Sequence, residues 1–162
     1  MLDERDLAIL ELLQTDARRS NAEIARRLGI APSAVLERIR KLERRGVLRG
    51  YAARIDAAAV GQGLLAFLFV QADEGPGGDD LGQILASIPE VLEVHHVAGE
   101  DCYLVKLRCS STEALGQLLK ERIGALPEVR RTRTTVVLGT IKESLELRLP
   151  EAPGGEGRDD RD

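Results

Sequence analysis

Residues 20–46 have the sequence SNAEIARRLGIAPSAVLERIRKLERRG, which contains start and stop signals for two short helices. Ser20 and Glu23 form a capping-box pattern, so a helix is predicted to begin there. Gly29 ends that helix, because glycine accepts the left-handed backbone conformation found after a helix C-terminus. Pro32 then fits the first position of the next helix. Two short helices joined by a tight turn are typical of a helix-turn-helix, a DNA-binding arrangement.

The second helix of this pair is predicted to read DNA. Val35, Ile39 and Leu42 recur at helical spacing and are predicted to face the core. The residues then predicted to face outward are Ser33, Glu37, Arg40 and Arg44, and those predicted on the flanks of the helix are Ala34, Arg38 and Lys41. Recognition helices contact base edges mainly through their N-terminal residues, and later residues and helix N-termini meet phosphates. The predicted base contacts are Ser33, Ala34, Glu37 and Arg38, and the predicted phosphate contacts are Arg40, Lys41, Arg44, Ser20 and Asn21.

The distribution of charge favours nucleic acid as a partner, although the net charge of −4 does not. Residues 16–54 carry 11 basic and 4 acidic side chains, and the rest of the chain is acidic overall. Such asymmetry indicates a basic module joined to an acidic one. The alternative is a plain helical bundle whose charged surface is only solvated.

The rest of the chain predicts one more helix and a second module. A first helix begins after Asp3, with Asp6 at its third position, and runs to about Gln14. Alternating apolar residues over 47–55 predict a short strand that serves as a wing or linker. Beyond it, four strands and two helices follow in the order βαββαβ, which is the ferredoxin-like arrangement. The predicted strands cover 64–72, 91–97, 102–109 and 129–138. The first predicted helix runs from Asp79 or Asp80 to about Ile88, and the second runs from a Ser110–Glu113 capping box through Ile123. The segment 141–149 is predicted to be extended or mixed.

The fold class is therefore α+β, with a winged helix-turn-helix followed by a ferredoxin-like domain. The predicted domains are a DNA-binding domain over 1–50, a linker strand and turn over 51–63, a ferredoxin-like domain over 64–149, and a disordered acidic tail over 150–162. The helices of a ferredoxin-like domain cover one face of its sheet. A second subunit is the simplest cover for the other face, so a homodimer is expected. Candidates for that face are Phe67 or Leu68, His95 or His96, Val105 and the residues that alternate with it, Thr135 and Val137.

Four stretches resemble the Lrp/AsnC (feast/famine) transcription regulators: LDERDLAILELLQTDAR, NAEIARRLGIAPSAVLERIRKLERRGVLRGYAARID, PEVLEVHHVAGEDCYLVKL and TRTTVVLGTIKES. Together they extend the resemblance over the chain to about Pro150. It implies an N-terminal DNA-binding domain for double-stranded DNA and a C-terminal domain that binds a small effector, usually an amino acid. It also implies homodimers that often assemble into tetramers or octamers.

The resemblance also implies where the effector binds, which is near the loop between the second and third strands. Glycine would let backbone amides approach the carboxylate of an amino acid, and a nearby acid would hold its ammonium group. Family members often have Asp where this chain has Cys102, and the acid here comes one place earlier. A tight β-turn without a ligand is the alternative. The implied effector residues are Gly99, Glu100, Asp101, Cys102 and Tyr103, with Thr132 and Thr134 on the fourth strand.

No sequence pattern predicts a membrane protein or a metal enzyme. The longest near-apolar run, 64–70, is far shorter than the roughly 20 residues of a membrane helix. The N-terminus has no signal-peptide pattern. His95 and His96 are adjacent in a strand and point to opposite sides, so they cannot share a metal. We expect a cytoplasmic protein that is not an enzyme, with no cofactor, no catalytic residues, no metal and no membrane partner.

One enzyme class is kept as the alternative function. Siroheme decarboxylases look similar to this family across both modules, and they need tetrapyrrole-binding histidines and basic side chains. His95 and His96 keep that hypothesis open. The segment 46–51 lacks the doubled basic pair expected of such an enzyme. A Soret band in the purified protein would favour this alternative.

Overall fold

The computed structural model describes residues 2–73, 80–99 and 102–150, which form two compact units. The first unit contains the chain up to Arg54 and takes up the C-terminal segment again from Lys142. The second unit spans Ile55–Ile141. Among the described residues, no helix combines the length and the apolar character needed to cross a lipid bilayer. The mixed α+β class predicted from the sequence is confirmed.

The first unit is built on three helices whose ends match the predicted signals. Asp3 caps α1 by accepting from the Asp6 N–H, and Ser20 caps α2 by accepting from the Glu23 N–H. Gly29 ends α2 with φ 63°, a left-handed conformation in which a side chain would be strained. The helices are α1 Glu4–Thr15, α2 Asn21–Leu28 and α3 Pro32–Arg44.

These helices share one apolar core, which fixes the orientation of α3. Ile9 from α1, Ile24 from α2 and Val35 from α3 are all completely buried. Leu42, about two helical turns beyond Val35, is also completely buried. Because α3 is packed along one side over its whole length, its opposite side is held towards solvent.

The short strand predicted over 47–55 is wrong. In the structure this segment makes no strand ladder with any described residue. The Tyr51 side chain is half exposed, and the Ile55 side chain is mostly exposed. A strand is stable only when a neighbouring strand satisfies its backbone groups. The alternating pattern of apolar residues was correct, but no described segment of this chain supplies the partner.

The C-terminal segment also differs from its predicted place. Residues 142–149, which the sequence assigns to the second domain, make their contacts with the first unit in the structure. The Gln14 side chain donates to the Leu147 carbonyl at 3.1 Å and accepts from the Leu147 N–H at 2.8 Å. Leu149 packs against the helical core. These contacts hold the segment beside α1, which the strand pattern alone did not reveal. Residues 151–162, predicted as a disordered tail, lie outside the described residues.

The second unit has the predicted βαββαβ order. All strand pairs are antiparallel, and the sheet order is β2-β3-β1-β4. The first and last strands along the chain, β1 and β4, are therefore neighbours in the sheet, as the ferredoxin-like fold requires. The elements are β1 Leu64–Ala72, α4 Asp80–Ala86, β2 Val91–His96, β3 Tyr103–Cys109, α5 Thr112–Leu118 with a final π-helical turn Leu119–Ile123, and β4 Val129–Val136.

The capping residue of α5 corrects one prediction. The helix was expected to begin with a Ser110–Glu113 box, but Ser111 is the N-cap and accepts from the Ala114 N–H at 3.2 Å. Ser111 has an extended backbone, φ −155° and ψ 173°, as an N-cap residue needs. Two consecutive serines offered two registers, and the structure uses the second.

The two faces of the sheet are now distinguished. Leu68 and Val105 are completely buried in the core beneath α4 and α5, so Val105 does not lie on the open face as predicted. Phe67 pairs with Thr135, and both lie on the opposite face with half-buried or exposed side chains. His95 pairs with Leu104 on that same face, whereas His96 stacks on the buried ring of Tyr103 at 5.1 Å.

Candidate functional site

The outward side of α3 carries most of the predicted DNA contacts. Pro32 occupies the first turn, and the N-cap Ala31 supplies no side-chain hydrogen bond. The helix start therefore has no side-chain cap among the described residues, and Pro32 and Ser33 are exposed. Further along, side chains recur on the outer side at intervals of three and four residues. The exposed predicted contacts on this helix are Ser33, Glu37, Arg40, Lys41 and Arg44.

The three basic residues of that set keep their charge available. Within the described part of the chain, Arg40, Lys41 and Arg44 form no ion pair with an acidic side chain. They lie within four residues of one another on one helix, so their fields add. A duplex carries one phosphate charge per roughly 1.7 Å of its axis, and such a row complements it. Ala34 is half-buried at the edge of this surface.

The start of α2 is less open to a phosphate than predicted from the sequence. Both the N–H and the hydroxyl of Ser20 donate to one oxygen of Glu23, at 2.9 and 2.8 Å. These bonds hold the pKa of the Glu23 carboxyl below its usual range, so the acid stays ionised. Asn21 follows at the first helical position and is half-buried. A phosphate at this helix end would therefore meet a carboxylate as well as helix N–H groups.

Arg38 is placed differently from the other predicted contacts. Its Nη1 atom donates to both oxygens of Asp3, at 2.9 and 2.7 Å, and to Asp6 at 2.6 Å. The Arg38 side chain is 25% exposed and that of Asp6 only 1%. Arg38 holds the pKa of the Asp3 carboxyl below its usual range, mainly through the hydrogen bond. The arginine thus joins α3 to the first turn of α1.

Both aspartates were predicted at the start of α1, but their ion pair with Arg38 was not. Asp3 and Asp6 were recognised as helix-capping residues, which the structure confirms. Their link to Arg38 spans 35 and 32 residues. The available signal was a basic residue on the flank of α3, between its inward and outward sides. Sequence spacing alone does not tell which distant helix end lies beside it.

The predicted effector loop is described at its two ends. Gly99 has φ 137°, a conformation that side chains rarely adopt, and among the described residues, its chain neighbours aside, no atom lies within 4 Å of where its Cβ would be. After the gap, the Cys102 N–H donates to the Val70 carbonyl at 2.8 Å and the Val97 N–H donates to the Cys102 carbonyl at 2.9 Å. These bonds fix the loop to β1 and β2. Glu100 and Asp101, the predicted ammonium-binding acids, lie outside the described residues.

The remaining predicted effector residues share the helix-covered side of the sheet. Val70 of β1 pairs with Tyr103 on one side and with Thr132 on the other, so these residues form one row at the loop end. Thr134 lies one row further away, opposite Leu68. Tyr103 is 2% exposed, and a Cβ on Gly82 of α4 would lie 2.9 Å from its ring. The structure therefore places Tyr103 and Thr132 in one row of the sheet, with Val70 between them and Thr134 in the next row.

Two protein-family models together match most of this chain. Residues 2–49 match a winged helix-turn-helix DNA-binding model, and residues 65–147 match the Lrp/AsnC ligand binding domain. The first match contains α1 to α3, and the second contains the sheet and the predicted effector loop. The division between them agrees with the order of modules seen in the sequence.

Individual proteins give the same result over nearly the full length. HTH-type transcriptional regulator FL11 of Pyrococcus horikoshii is 39% identical over 146 residues, covering 90% of this chain and 95% of that protein. The leucine-responsive regulatory protein of Escherichia coli is 36% identical over 148 residues, covering 90% of each chain. The feast or famine regulatory protein from M. tuberculosis, solved with L-methionine, is 39% identical with a TM-score of 0.84, covering 91% of this chain and 99% of that one.

Proposed function

The chain belongs to the Lrp/AsnC family of DNA-binding transcription regulators, and we propose that the outer side of α3 contacts operator DNA while an amino acid at the Gly99 loop modulates that binding. The observation that carries the DNA-binding part is the exposed row of Arg40, Lys41 and Arg44. Because the inner side of α3 is completely packed, this row is held outward before DNA arrives. Preorganised charge loses little freedom on binding.

The contacts divide by position along α3. Ser33, Ala34, Glu37 and Arg38 lie in the first two turns, from which recognition helices reach base edges. Arg40, Lys41 and Arg44 lie further along and suit phosphates, with Ser20 and Asn21 at the start of α2 as weaker candidates beside Glu23. A glutamate accepts from cytosine and an alanine methyl contacts thymine, so this set is able to distinguish bases.

The proposed effector is an amino acid with an apolar side chain. The relatives supply this inference, since one is named leucine-responsive and another was solved with L-methionine. In this chain the Cβ position of Gly99 is open among the described residues, which suits the approach of a carboxylate. Asp101 or Glu100 is the proposed partner of the ammonium group. Cys102, Tyr103, Thr132 and Thr134 complete the proposed site.

We also propose a homodimer, with tetramers or octamers as larger assemblies. The open face of the sheet supports a dimer, because Phe67, Phe69 and Leu104 are half-buried there without a helix from the described residues to cover them. A dimer would place two copies of α3 in successive major grooves about 34 Å apart. Operators with two related half-sites are then expected.

We also propose that the protein is not an enzyme. We propose that it is cytoplasmic, because DNA is directly accessible there. The relatives named above are regulators, and they give no support to the siroheme decarboxylase alternative. A colourless purified protein, without a Soret band, is the expected result. Haem-like absorbance that copurifies in stoichiometric amount would contradict it.

The DNA-binding proposal is tested by selecting duplexes from a random-sequence pool with the full-length protein. Binding of the selected duplex is then measured from 50 to 200 mM salt. We expect a steep loss of affinity with salt, because each neutralised phosphate releases counterions. No enrichment over several rounds would contradict the proposal.

The effector proposal is tested by a thermal-shift screen of the twenty amino acids. A ligand that binds only the folded protein raises its melting temperature. We expect L-methionine or L-leucine to raise it and to change affinity for the selected duplex. An amino acid that changes neither quantity is not the effector, and failure of all twenty would remove this part of the proposal.

A further inference from the structure

The ion-pair cluster of Asp3, Asp6 and Arg38 joins α3 to the start of α1. Asp3 and Asp6 are themselves held, because the Asp6 N–H donates to Asp3 at 2.8 Å and the Asp3 N–H donates to Asp6 at 3.4 Å. Each carboxylate therefore has its position set by the backbone of α1. A guanidinium bound to two such groups loses most of its rotational freedom in advance.

The cluster also changes what Arg38 is able to offer DNA. Two carboxylates and one guanidinium leave a net negative charge, so Arg38 brings no net attraction for phosphate. All three of its hydrogen bonds to described residues use Nη1. Nε and Nη2 therefore keep their donors, and the side chain is 25% exposed. Such a group supplies direction rather than charge, as a base contact requires.

We propose that Asp3 and Asp6 are positioning residues for base readout: they hold Arg38 by Nη1 so that its Nε and Nη2 donate to a guanine edge. This inference rests on the proposed DNA-binding function and assigns part of its sequence preference to the first turn of α1. Guanine is the expected base because its O6 and N7 accept two parallel hydrogen bonds from arginine. Asp3 itself makes no base contact in this account.

Removing Arg38 is a poor test, because it would leave Asp6 buried without its ion-pair partner and would disturb the fold. Asp3→Asn is sharper. Asparagine caps a helix about as well as aspartate, so α1 keeps its start while the charge on Arg38's partner is lost. Asp3 is also the more exposed carboxylate, at 53%. Asp3→Ser offers a second variant with a capping oxygen and no charge.

Glu4→Gln is the matched control. Glu4 lies beside Asp3 at the start of the same helix, is exposed, and forms no ion pair within the described residues. Both substitutions remove one negative charge from the same surface. If Asp3 acted only through charge, both variants would bind every duplex somewhat more tightly. If Asp3 positions Arg38, only its variants lose sequence preference.

The measurement is the affinity ratio between a duplex selected by the wild-type protein and a shuffled duplex of equal composition. We expect Asp3→Asn and Asp3→Ser to lower this ratio at least about fivefold and Glu4→Gln to leave it unchanged. Replacing half-site guanines by 7-deazaguanine should weaken wild-type binding at one position and affect Asp3→Asn much less there. Melting temperatures recorded alongside show whether each variant is folded.

The outcomes separate this inference from the function on which it rests. A wild-type protein that does not prefer its selected duplex contradicts the DNA-binding proposal itself. A wild-type protein with a clear preference, combined with folded Asp3 variants that behave like Glu4→Gln, overturns the positioning role alone. Equal sensitivity of wild type and Asp3→Asn to 7-deazaguanine would also overturn it.

Discussion

Three exposed cations on α3 of the first unit differ from three paired cations of the second unit. On α3 of the first unit, Arg40, Lys41 and Arg44 have no acidic partner among the described residues. In the second unit, several cations are tied to carboxylates at 3.2–3.6 Å: Lys106 to Glu93, Arg122 to Glu90, and Arg130 to Asp73. Arg133 lies over the Phe69 ring, with its guanidinium carbon 3.9 Å from the ring centroid.

Because of this difference, the acidic net charge of the chain is a poor guide to its binding partner. Paired surface charges contribute little to long-range attraction, because their fields cancel within a few ångströms. Unpaired cations on one packed helix make a local field that a duplex detects. Replacing three basic residues on α3 should therefore lower DNA affinity far more than replacing three basic residues elsewhere.

The largest expected effect comes from replacing Arg40, Lys41 and Arg44 together by alanine. Affinity for the selected duplex should fall by about a hundredfold or more, since three charge-assisted contacts are lost. The slope of log affinity against log salt should become shallower by about three. Filter binding or anisotropy at several salt concentrations measures both quantities.

Its control is the triple alanine variant of Lys120, Arg122 and Arg130 in the second unit. It removes the same number of charges, and we expect little change in affinity or salt slope. If both triple variants lost DNA binding equally, net charge rather than the α3 surface would govern binding, and the comparison between the units would fail.

The next effect concerns the effector. Asp101→Ala should weaken the response to the amino acid by about tenfold or more, because a buried ammonium would lose its ionic partner. DNA affinity without the amino acid should remain close to wild type. Titration of the amino acid by calorimetry, with DNA binding measured in parallel, checks both statements. An unchanged response would remove Asp101 from the proposed site.

A smaller effect is expected at the C-terminal segment. Gln14→Ala removes two hydrogen bonds to the Leu147 backbone and should lower the free energy of unfolding by about 1–2 kcal/mol. Gln117→Ala is a suitable control, because Gln117 is an exposed helical glutamine in the second unit. Chemical denaturation followed by circular dichroism compares them. Equal stability of the two variants would mean that the segment is not held by Gln14 in solution.

The smallest effect is predicted for Arg130→Ala. Its ion pair with Asp73 is 3.5 Å long, and both side chains are more than 70% exposed. Stability should change by about 0.5 kcal/mol or less. The same denaturation measurement applies. A loss above 1.5 kcal/mol would show that surface pairs in this unit do more than neutralise charge.

Local signals in the sequence predicted most of the fold. Ser20, Gly29 and Pro32 act within one helical turn, so their effects on helix ends were predictable without the tertiary structure. The strand order followed from the alternation of elements. Ser111 rather than Ser110 caps α5 because neighbouring serines offer nearly equal registers, which packing must decide.

Contacts between distant residues were not predictable. The binding of Asp6 by Arg38 and the docking of Leu147 on Gln14 each join residues more than 30 positions apart. The strand prediction for 47–55 was wrong for a related reason. An alternation of apolar residues shows that a strand is possible, but it does not show which strand would pair with it. For the candidate site, exposure on α3 was predicted from periodicity, whereas the restraint on Arg38 was not.

Dimethyl sulfate protection reports whether α3 enters the major groove with its outer side. This reagent methylates guanine N7, an atom that lies in the major groove. On the selected duplex we predict two clusters of protected guanines, centred about ten base pairs apart or a multiple of that. Tight, sequence-selective binding that leaves every guanine N7 as reactive as in free DNA would contradict the account.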